Sequence, residues 1–268
     1  MTRDERLLLD EKYGGLRTPA YEADRERLVR GEPLAYVIGW QPFLGLKIYL
    51  DSKPLIPRPE TEWWTEQLMS AISGTLHRST DRAGRTFSAE NDSVPGNRTH
   101  ELHFLDLCAG SGAIGCAPLA RLPNAQVYFG ELDPAHEAII RKNIRENGLD
   151  SSRADVRIGD LFEPFAGMQF DIIAANPPYV PANQVLPSSV AEYEPSGALY
   201  AGDDGLAVIR RIAKDLPKHL ATGGVAWIEC DTSHAEAVCA LFARQGLPAA
   251  IRTDQYDKPR IIVVRPVR

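Results

Sequence analysis

The chain has 268 residues, of which 44% are hydrophobic and 25% charged, with a formal net charge of −6. This is the composition of an ordinary folded protein with a sizeable core, and it excludes a wholly disordered chain or a fibrous repeat. Thirty basic against thirty-six acidic residues also argues against a protein held mainly by nucleic-acid phosphates. The four cysteines, Cys108, Cys116, Cys230 and Cys239, make no C-x-x-C pair and no zinc spacing with histidine. They read as reduced thiols in a cytoplasmic protein with no metal site. No apolar run is long enough to span a bilayer, and the N-terminal stretch MTRDERLLLDEKYGG lacks the apolar segment of a secretory signal.

In chain order, residues 1–30 alternate charge with leucine and predict one or two short helices, interrupted at Gly14, Gly15 and Pro19. Phe43 to Leu50 predicts a hairpin around Pro42 and Gly45. The proline-pinned loop Lys53 to Glu60 follows, and then a helix over Thr61–Ile72 with Trp63, Trp64, Leu68 and Ile72 at helical spacing. Those tryptophans read as packing. Residues 74–100 are polar and nearly free of large apolar side chains, so they cannot bury enough surface to offset their ordering entropy; they read as a flexible insertion. The chain thus divides into an N-terminal helical and hairpin region over 1–73, the insertion, and a larger domain over 101–268.

From His103 the pattern alternates strand and helix. Strands are predicted over His103–Leu107, Gln126–Glu131, Asp155–Ile158, Phe170–Ala175 and Val225–Glu229. Helices are predicted over Ser111–Arg121, Pro134–Asn147, Leu206–Leu220 and His234–Gln245. A closing strand pair, Ala250–Thr253 and Ile261–Val264, turns at Asp257, Lys258 and Pro259. Such alternation is the pattern of an α/β domain, a mostly parallel sheet with helices on both faces, whose ligands bind beyond the carboxyl ends of the strands.

Four strand ends carry candidate chemistry. Asp106-Leu-Cys-Ala-Gly110-Ser-Gly112 joins a strand to a helix, and its glycines allow a ligand close to the backbone and the helix N-terminus. Alone it reads equally as a plain tight turn, and it lacks the third glycine of a dinucleotide fingerprint. Glu131 ends the second strand, where a carboxylate can accept from both hydroxyls of a ribose. Asp160 ends the third and can accept from the exocyclic amine of an adenine. Asn176-Pro177-Pro178-Tyr179 ends the fourth. The prolines hold the backbone extended and cannot donate, so the Asn176 side-chain oxygen and the Pro177 carbonyl are left as a pair of acceptors beside an aromatic ring. That pair suits the two hydrogens of a planar amino group.

Taken in order and register, Asp106–Gly112, Glu131, Asp160 and Asn176–Tyr179 resemble a methyltransferase dependent on S-adenosylmethionine that modifies planar nitrogens. Gly31-Glu-Pro-Leu-Ala-Tyr-Val-Ile-Gly39, Leu55-Ile-Pro-Arg-Pro-Glu-Thr-Glu62, Tyr193-Glu-Pro-Ser-Gly-Ala-Leu199 and Gly202-Asp-Asp-Gly205 narrow the likeness to the HemK/PrmC family, the peptide chain release factor glutamine N5-methyltransferases. The resemblance implies a Rossmann-like seven-stranded methyltransferase sheet. It also implies methylation of the glutamine amide in the Gly-Gly-Gln loop of a release factor, with S-adenosylmethionine as donor. Cofactor contacts then fall on Asp106, Cys108, Ala109, Gly110, Ser111 and Gly112, and on Glu131, Asp160, Leu161 and Asn176. Catalysis falls on Asn176, Pro177 and Tyr179. The substrate is held by those three with Pro178, and Arg58, Glu60 and Glu194 are placed at its entrance. A monomer that engages a protein, not nucleic acid or membrane, is expected. The rival is an amino methyltransferase acting on adenine N6 or another nucleic-acid nitrogen. Four features depart from the family pattern: Cys108 replaces a glycine, Pro118 falls within a helix where it should kink or shorten it, the N-terminal region is short, and the 74–100 segment is long.

Overall fold

Thr2 and Thr18 each start a helix, their hydroxyls accepting from the backbone N–H groups of Glu5 and Tyr21. The computed structural model describes residues 1–74 and 101–266, so the predicted insertion lies outside the described residues except for Gly74. Helix α1 (Arg3–Tyr13) carries a capping box, Glu5 reaching back to Thr2, and stops at Gly14 in the left-handed conformation. α2 (Pro19–Val29) and α3 (Leu34–Ile38) follow. Leu8, Leu9, Tyr21 and Val37 form a small core among the three. β1 (Trp40–Phe43) and β2 (Leu46–Tyr49) pair antiparallel across Leu44 and Gly45, both at positive φ as a tight right-twisting hairpin turn requires. α4 (Pro59–Ile72) begins on a proline, whose missing N–H costs nothing at that position.

The second unit is the α/β sheet. Its elements are β3 (Leu102–Leu107), α5 (Ala113–Arg121), β4 (Ala125–Glu131), α6 (Glu137–Glu146), β5 (Ala154–Ile158), β6 (Phe170–Ala175), α7 (Ser188–Ala191), α8 (Ala207–His219), β7 (Leu220–Glu229), α9 (Ala235–Ala243), β8 (Ala249–Thr253) and β9 (Pro259–Val264). The seven strands lie in the order β5-β4-β3-β6-β7-β9-β8; β3 to β7 run parallel and β9 enters antiparallel between β7 and β8. The chain winds from β3 outward through β4 and β5, then returns to set β6 on the other side of β3. That reversal opens a crevice at the carboxyl ends of β3, β4 and β6, where the four candidate loops converge.

Alternating side chains divide the core. Phe104, Phe129, Ile172, Val225 and Trp227 face α4, α5 and α6, and Leu105, Leu107, Ile173, Ala226 and Ile228 face α8 and α9. Trp64 of α4 is fully buried and stacks on Trp227 at 6.4 Å. The hairpin is tied to α6 through amides. Asn143 accepts from the Tyr49 N–H and donates to the carbonyls of Tyr49 and Ser111, and Asn147 makes the matching pair with Lys47. The N-terminal region and the crevice loop therefore share one anchor. Among the described residues no helix is long and apolar enough to cross a membrane.

The predicted elements are all present, with shifted ends. α5 starts at Ala113 because Gly110 and Gly112 both sit at positive φ. Pro118 does not stop it: the helix runs on to Arg121. Pro134–His136 is a 3₁₀ turn capped by Asp133 ahead of α6. β7 begins at Leu220, five residues before the predicted start, directly where α8 ends.

Candidate functional site

A cavity of about 590 Å³ fills the crevice. Its walls include Cys108 and Gly110 after β3, Glu131 to Pro134 after β4, Gly159 to Leu161 after β5, and Asn176 and Pro178 after β6. The volume is within the range of small-ligand sites, roughly 300–1,000 Å³. A second cavity of about 310 Å³ adjoins it, lined by Arg58, Asn176, Pro177, Tyr179, Gln184 and Asp231 among others. Leu55, Asn176 and Ala198 belong to both, so Asn176 stands in the partition between them.

The crevice loop is held from beneath. Both oxygens of Glu131 accept backbone N–H groups, Oε2 from Gly110 at 2.7 Å and Oε1 from Asp133 at 2.8 Å. One acid at a strand end thus fixes the first and second crevice loops together, and each oxygen keeps a further lone pair for a ligand hydroxyl. Asp160 pairs with Arg211 of α8 at 2.7 Å, and both line the cavity. Cys108 and Leu161 line it at φ +63° and +50°, left-handed backbone that glycine would adopt more easily. This explains why a glycine suits position 108. Burial pushes the Cys108 thiol far up, so it stays protonated.

Four expected cofactor residues lie behind the wall. Asp106 is fully buried on the α5 side of β3, its Oδ2 accepting from the Gly115 N–H at 2.8 Å, and burial drives its carboxyl well above the usual carboxylate range. Ala109 donates its N–H to the Gly130 carbonyl. The Ser111 carbonyl takes the Asn143 amide. Gly112 faces Ile140 and Phe129, where a Cβ would come within 3.1 Å of Ile140. These four shape the loop and do not line the cavity: Asp106, Ala109 and Ser111 are engaged by Gly115, Gly130 and Asn143, and Gly112 packs on Ile140 and Phe129.

The expected entrance residues divide as well. Arg58 lines the second cavity and donates to Glu194 Oε1 at 2.6 Å. Glu194 is a buried clasp, its other oxygen accepting from the Ile56 N–H. The pair locks the proline-pinned loop onto the segment after β6, so Glu194 is not an entrance charge. Glu60 sits half-buried in the first turn of α4, where an acid suits the helix dipole, and lines neither cavity.

The Asn-Pro-Pro-Tyr loop is braced by the chain that follows it. Val180 donates to the Leu199 carbonyl and accepts from Ala201, and Ala182 donates to Gly202. Gly205, at φ +71°, lies so close that a Cβ there would come within 2.3 Å of the Tyr179 carbonyl oxygen. The Gly202–Gly205 segment is therefore a backbone support. Below the loop lies a cluster that residue spacing did not reveal. Glu229, 1% exposed at the end of β7, takes Thr61 Oγ1 and Trp64 Nε1 on Oε2, both at 2.7 Å, and the Tyr179 hydroxyl on Oε1 at 3.0 Å. Thr61 Oγ1 lies 3.1 Å from Asn176 Nδ2. Burial raises the Glu229 carboxyl, opposed by these three donors, and burial beside Glu229 raises the Tyr179 hydroxyl well above its ordinary value. An acid closing the apolar run Val225–Ile228 was the available signal, the same one that marked Glu131.

Residues 91–193 match a family model described as methyltransferase small domain. A release factor glutamine methyltransferase of Xylella fastidiosa is 32% identical over 92% of this chain and 82% of its own length. Another, of Geobacter sulfurreducens, is 34% identical over 82% and 68% respectively. A solved methyltransferase of Pyrococcus furiosus superposes with a TM-score of 0.54 at 15% identity, covering 92% of this chain and all of that one, a likeness of fold.

Proposed function

The chain belongs to the release factor glutamine methyltransferase family, and from that membership we propose that it methylates the side-chain amide nitrogen of a glutamine in the Gly-Gly-Gln loop of a release factor, using S-adenosylmethionine. The observation that carries this reading is the place of Asn176, in the partition between a 590 Å³ cavity and a 310 Å³ one. The larger cavity suits the donor. Its walls carry the carboxylates of Glu131, Asp133 and Asp160, acceptors for hydroxyl and amino groups and compatible with a cation. They would repel the pyrophosphate of a nicotinamide cofactor. S-adenosylmethionine supplies a methyl carbon bound to a positively charged sulfur.

The chain's own residues address the weak partner in this chemistry, an amide nitrogen whose lone pair is delocalised. In our reading Asn176 Oδ1 and the Pro177 carbonyl accept the two N–H groups of the target amide and aim its nitrogen through the partition. Such fixed acceptors also stabilise positive charge as it grows on that nitrogen. Holding the reacting atoms in line is worth about 7–11 kcal/mol against a bimolecular reference. Tyr179 and Pro178 wall the approach. Glu131 and Asp160 hold the ribose and the adenine amine with the lone pairs that Gly110, Asp133 and Arg211 leave open.

The test is to incubate the protein with S-adenosylmethionine labelled in its methyl group and, separately, with release factor and with nucleic acid. Label on the glutamine side chain supports the reading. Label on a base, with the steep inverse salt dependence of a phosphate-held substrate, would replace it with the nucleic-acid alternative.

A further inference from the structure

An asparagine amide presents an oxygen on one side and an NH2 group on the other, in nearly the same shape. For the amide-gripping role proposed above, on which this inference rests, the two orientations are opposites. Oxygen toward the substrate accepts its N–H; NH2 toward the substrate sets donor against donor. Nothing in the Asn-Pro-Pro-Tyr loop itself selects between them.

We infer that Thr61 and Glu229 are positioning residues that fix which side of the Asn176 amide faces the substrate. The reasoning follows the protons. An indole N–H can only donate, so Trp64 Nε1, 2.7 Å from Glu229 Oε2, makes that oxygen an acceptor. Thr61 Oγ1 lies 2.7 Å from the same oxygen; with Glu229 as the carboxylate, the form that its three donors favour, that oxygen has no proton to give, so Thr61 gives it the one proton it has. With that proton committed, Oγ1 faces Asn176 with lone pairs alone. The Asn176 atom 3.1 Å away must then be the donor, Nδ2, and Oδ1 is turned outward. The Tyr179 hydroxyl on Oε1 keeps the carboxylate from rotating away. The device spans the fold: Thr61 and Trp64 come from α4 before the 74–100 segment, Glu229 from the end of β7, and Asn176 from the end of β6. Glu229 is on the α4 face of its strand because it shares the alternation of Val225 and Trp227, which stack against that helix.

The experiment replaces the relay and keeps the shape. Thr61→Val is isosteric and removes both the lone pairs and the proton; Thr61→Ser restores them with less packing. Turnover on release factor, KM, S-adenosylmethionine affinity and thermal midpoint are measured for each. Positioning predicts that Thr61→Val lowers kcat roughly 10- to 100-fold, the worth of one buried hydrogen bond made in the wrong sense. Cofactor affinity should remain within about twofold, and Thr61→Ser should return most of kcat despite its lost methyl. Unchanged kcat in Thr61→Val overturns the inference while leaving the proposed function standing. Equal impairment in Thr61→Ser overturns it too, since that outcome marks packing. A wild-type protein that transfers no methyl to release factor defeats the proposed function instead. Should Thr61→Val fail to fold, the wild-type protein still decides: the Asn176 side-chain NH2 protons, followed by nitrogen-15 NMR, should exchange with water far more slowly than those of exposed asparagines such as Asn124 and Asn183. Exchange at the exposed rate would refute the bond to Thr61.

Discussion

Replacing Glu131 by glutamine tests whether one acid both braces the crevice loops and holds the donor. In the wild-type protein its two oxygens accept from Gly110 at 2.7 Å and Asp133 at 2.8 Å, both bonds assisted by the carboxylate charge. A glutamine turns its single oxygen toward one of these N–H groups and its NH2 toward the other, so one bond is lost and a donor faces a donor. A hydrogen bond to a charged group contributes about 1.5–3 kcal/mol. One ribose hydroxyl loses its acceptor on the same side. If a single such bond is lost from the bound state, cofactor affinity falls about 10- to 150-fold. The free protein should melt a few degrees lower, since each kcal/mol shifts the midpoint of a domain this large by about 2–4 °C. Titration calorimetry with S-adenosylmethionine and a thermal melt read the two effects separately. A lower midpoint with affinity unchanged within twofold would refute the ligand role and leave Glu131 as a brace alone.

Gly205→Ala should abolish most methyl transfer although it lies outside both cavities, because its Cβ would come within 2.3 Å of the Tyr179 carbonyl at a φ of +71° and displace the Asn-Pro-Pro-Tyr loop; a steady-state assay showing normal kcat would remove that support role. Gly115→Ala should destabilise the fold by about 1–3 kcal/mol or more, as its Cβ would overlap Phe129 Cε1 at 2.3 Å, and urea unfolding reads the loss. The Arg27 guanidinium, with Lys53, holds the Glu32 carboxyl down at about 2 from an ordinary 4.5. A depressed carboxylate contributes stability that is present above the unfolded value and lost as pH falls through the folded one. Stability should therefore decline between about pH 4.5 and 2, less steeply in Glu32→Gln, and parallel declines in the two proteins would show that the pair contributes nothing.

The sheet was legible because its strands are short apolar runs ending in polar residues, a pattern that backbone geometry enforces: Phe170–Ala175 is buried on both faces and stops at Asn176. Helix ends were less legible. α5 starts late because Gly110 and Gly112 take positive φ, a choice that depends on Phe129 and Ile140 packing against the turn. Strand-end position correctly brought Gly110, Glu131, Asp160 and Asn176 to one crevice, but it could not distinguish residues on the wall from residues behind it. Asp106 and Glu131 are both strand-end acids; one is buried under α5 and the other lines the cavity. Glu194 read as an exposed charge because its partners, Ile56 and Arg58, lie over a hundred residues earlier in the chain. The Thr61–Glu229–Trp64 cluster escaped for the same reason: its members meet only when α4 packs on β7.

The account rests on the Asn176 oxygen gripping an amide opposite the methyl donor. The most direct measurement is single-turnover transfer from S-adenosylmethionine to release factor, with mass spectrometry locating the methyl group, in wild-type protein and in Asn176→Ala. The account predicts a methylated glutamine in the Gly-Gly-Gln loop for the wild type. For the variant it predicts a rate lower by about 100- to 1,000-fold, the cost of removing one fixed polar contact to the reacting group, with cofactor affinity largely retained. Comparable rates in the two proteins, or a methyl group on any other atom, would contradict it.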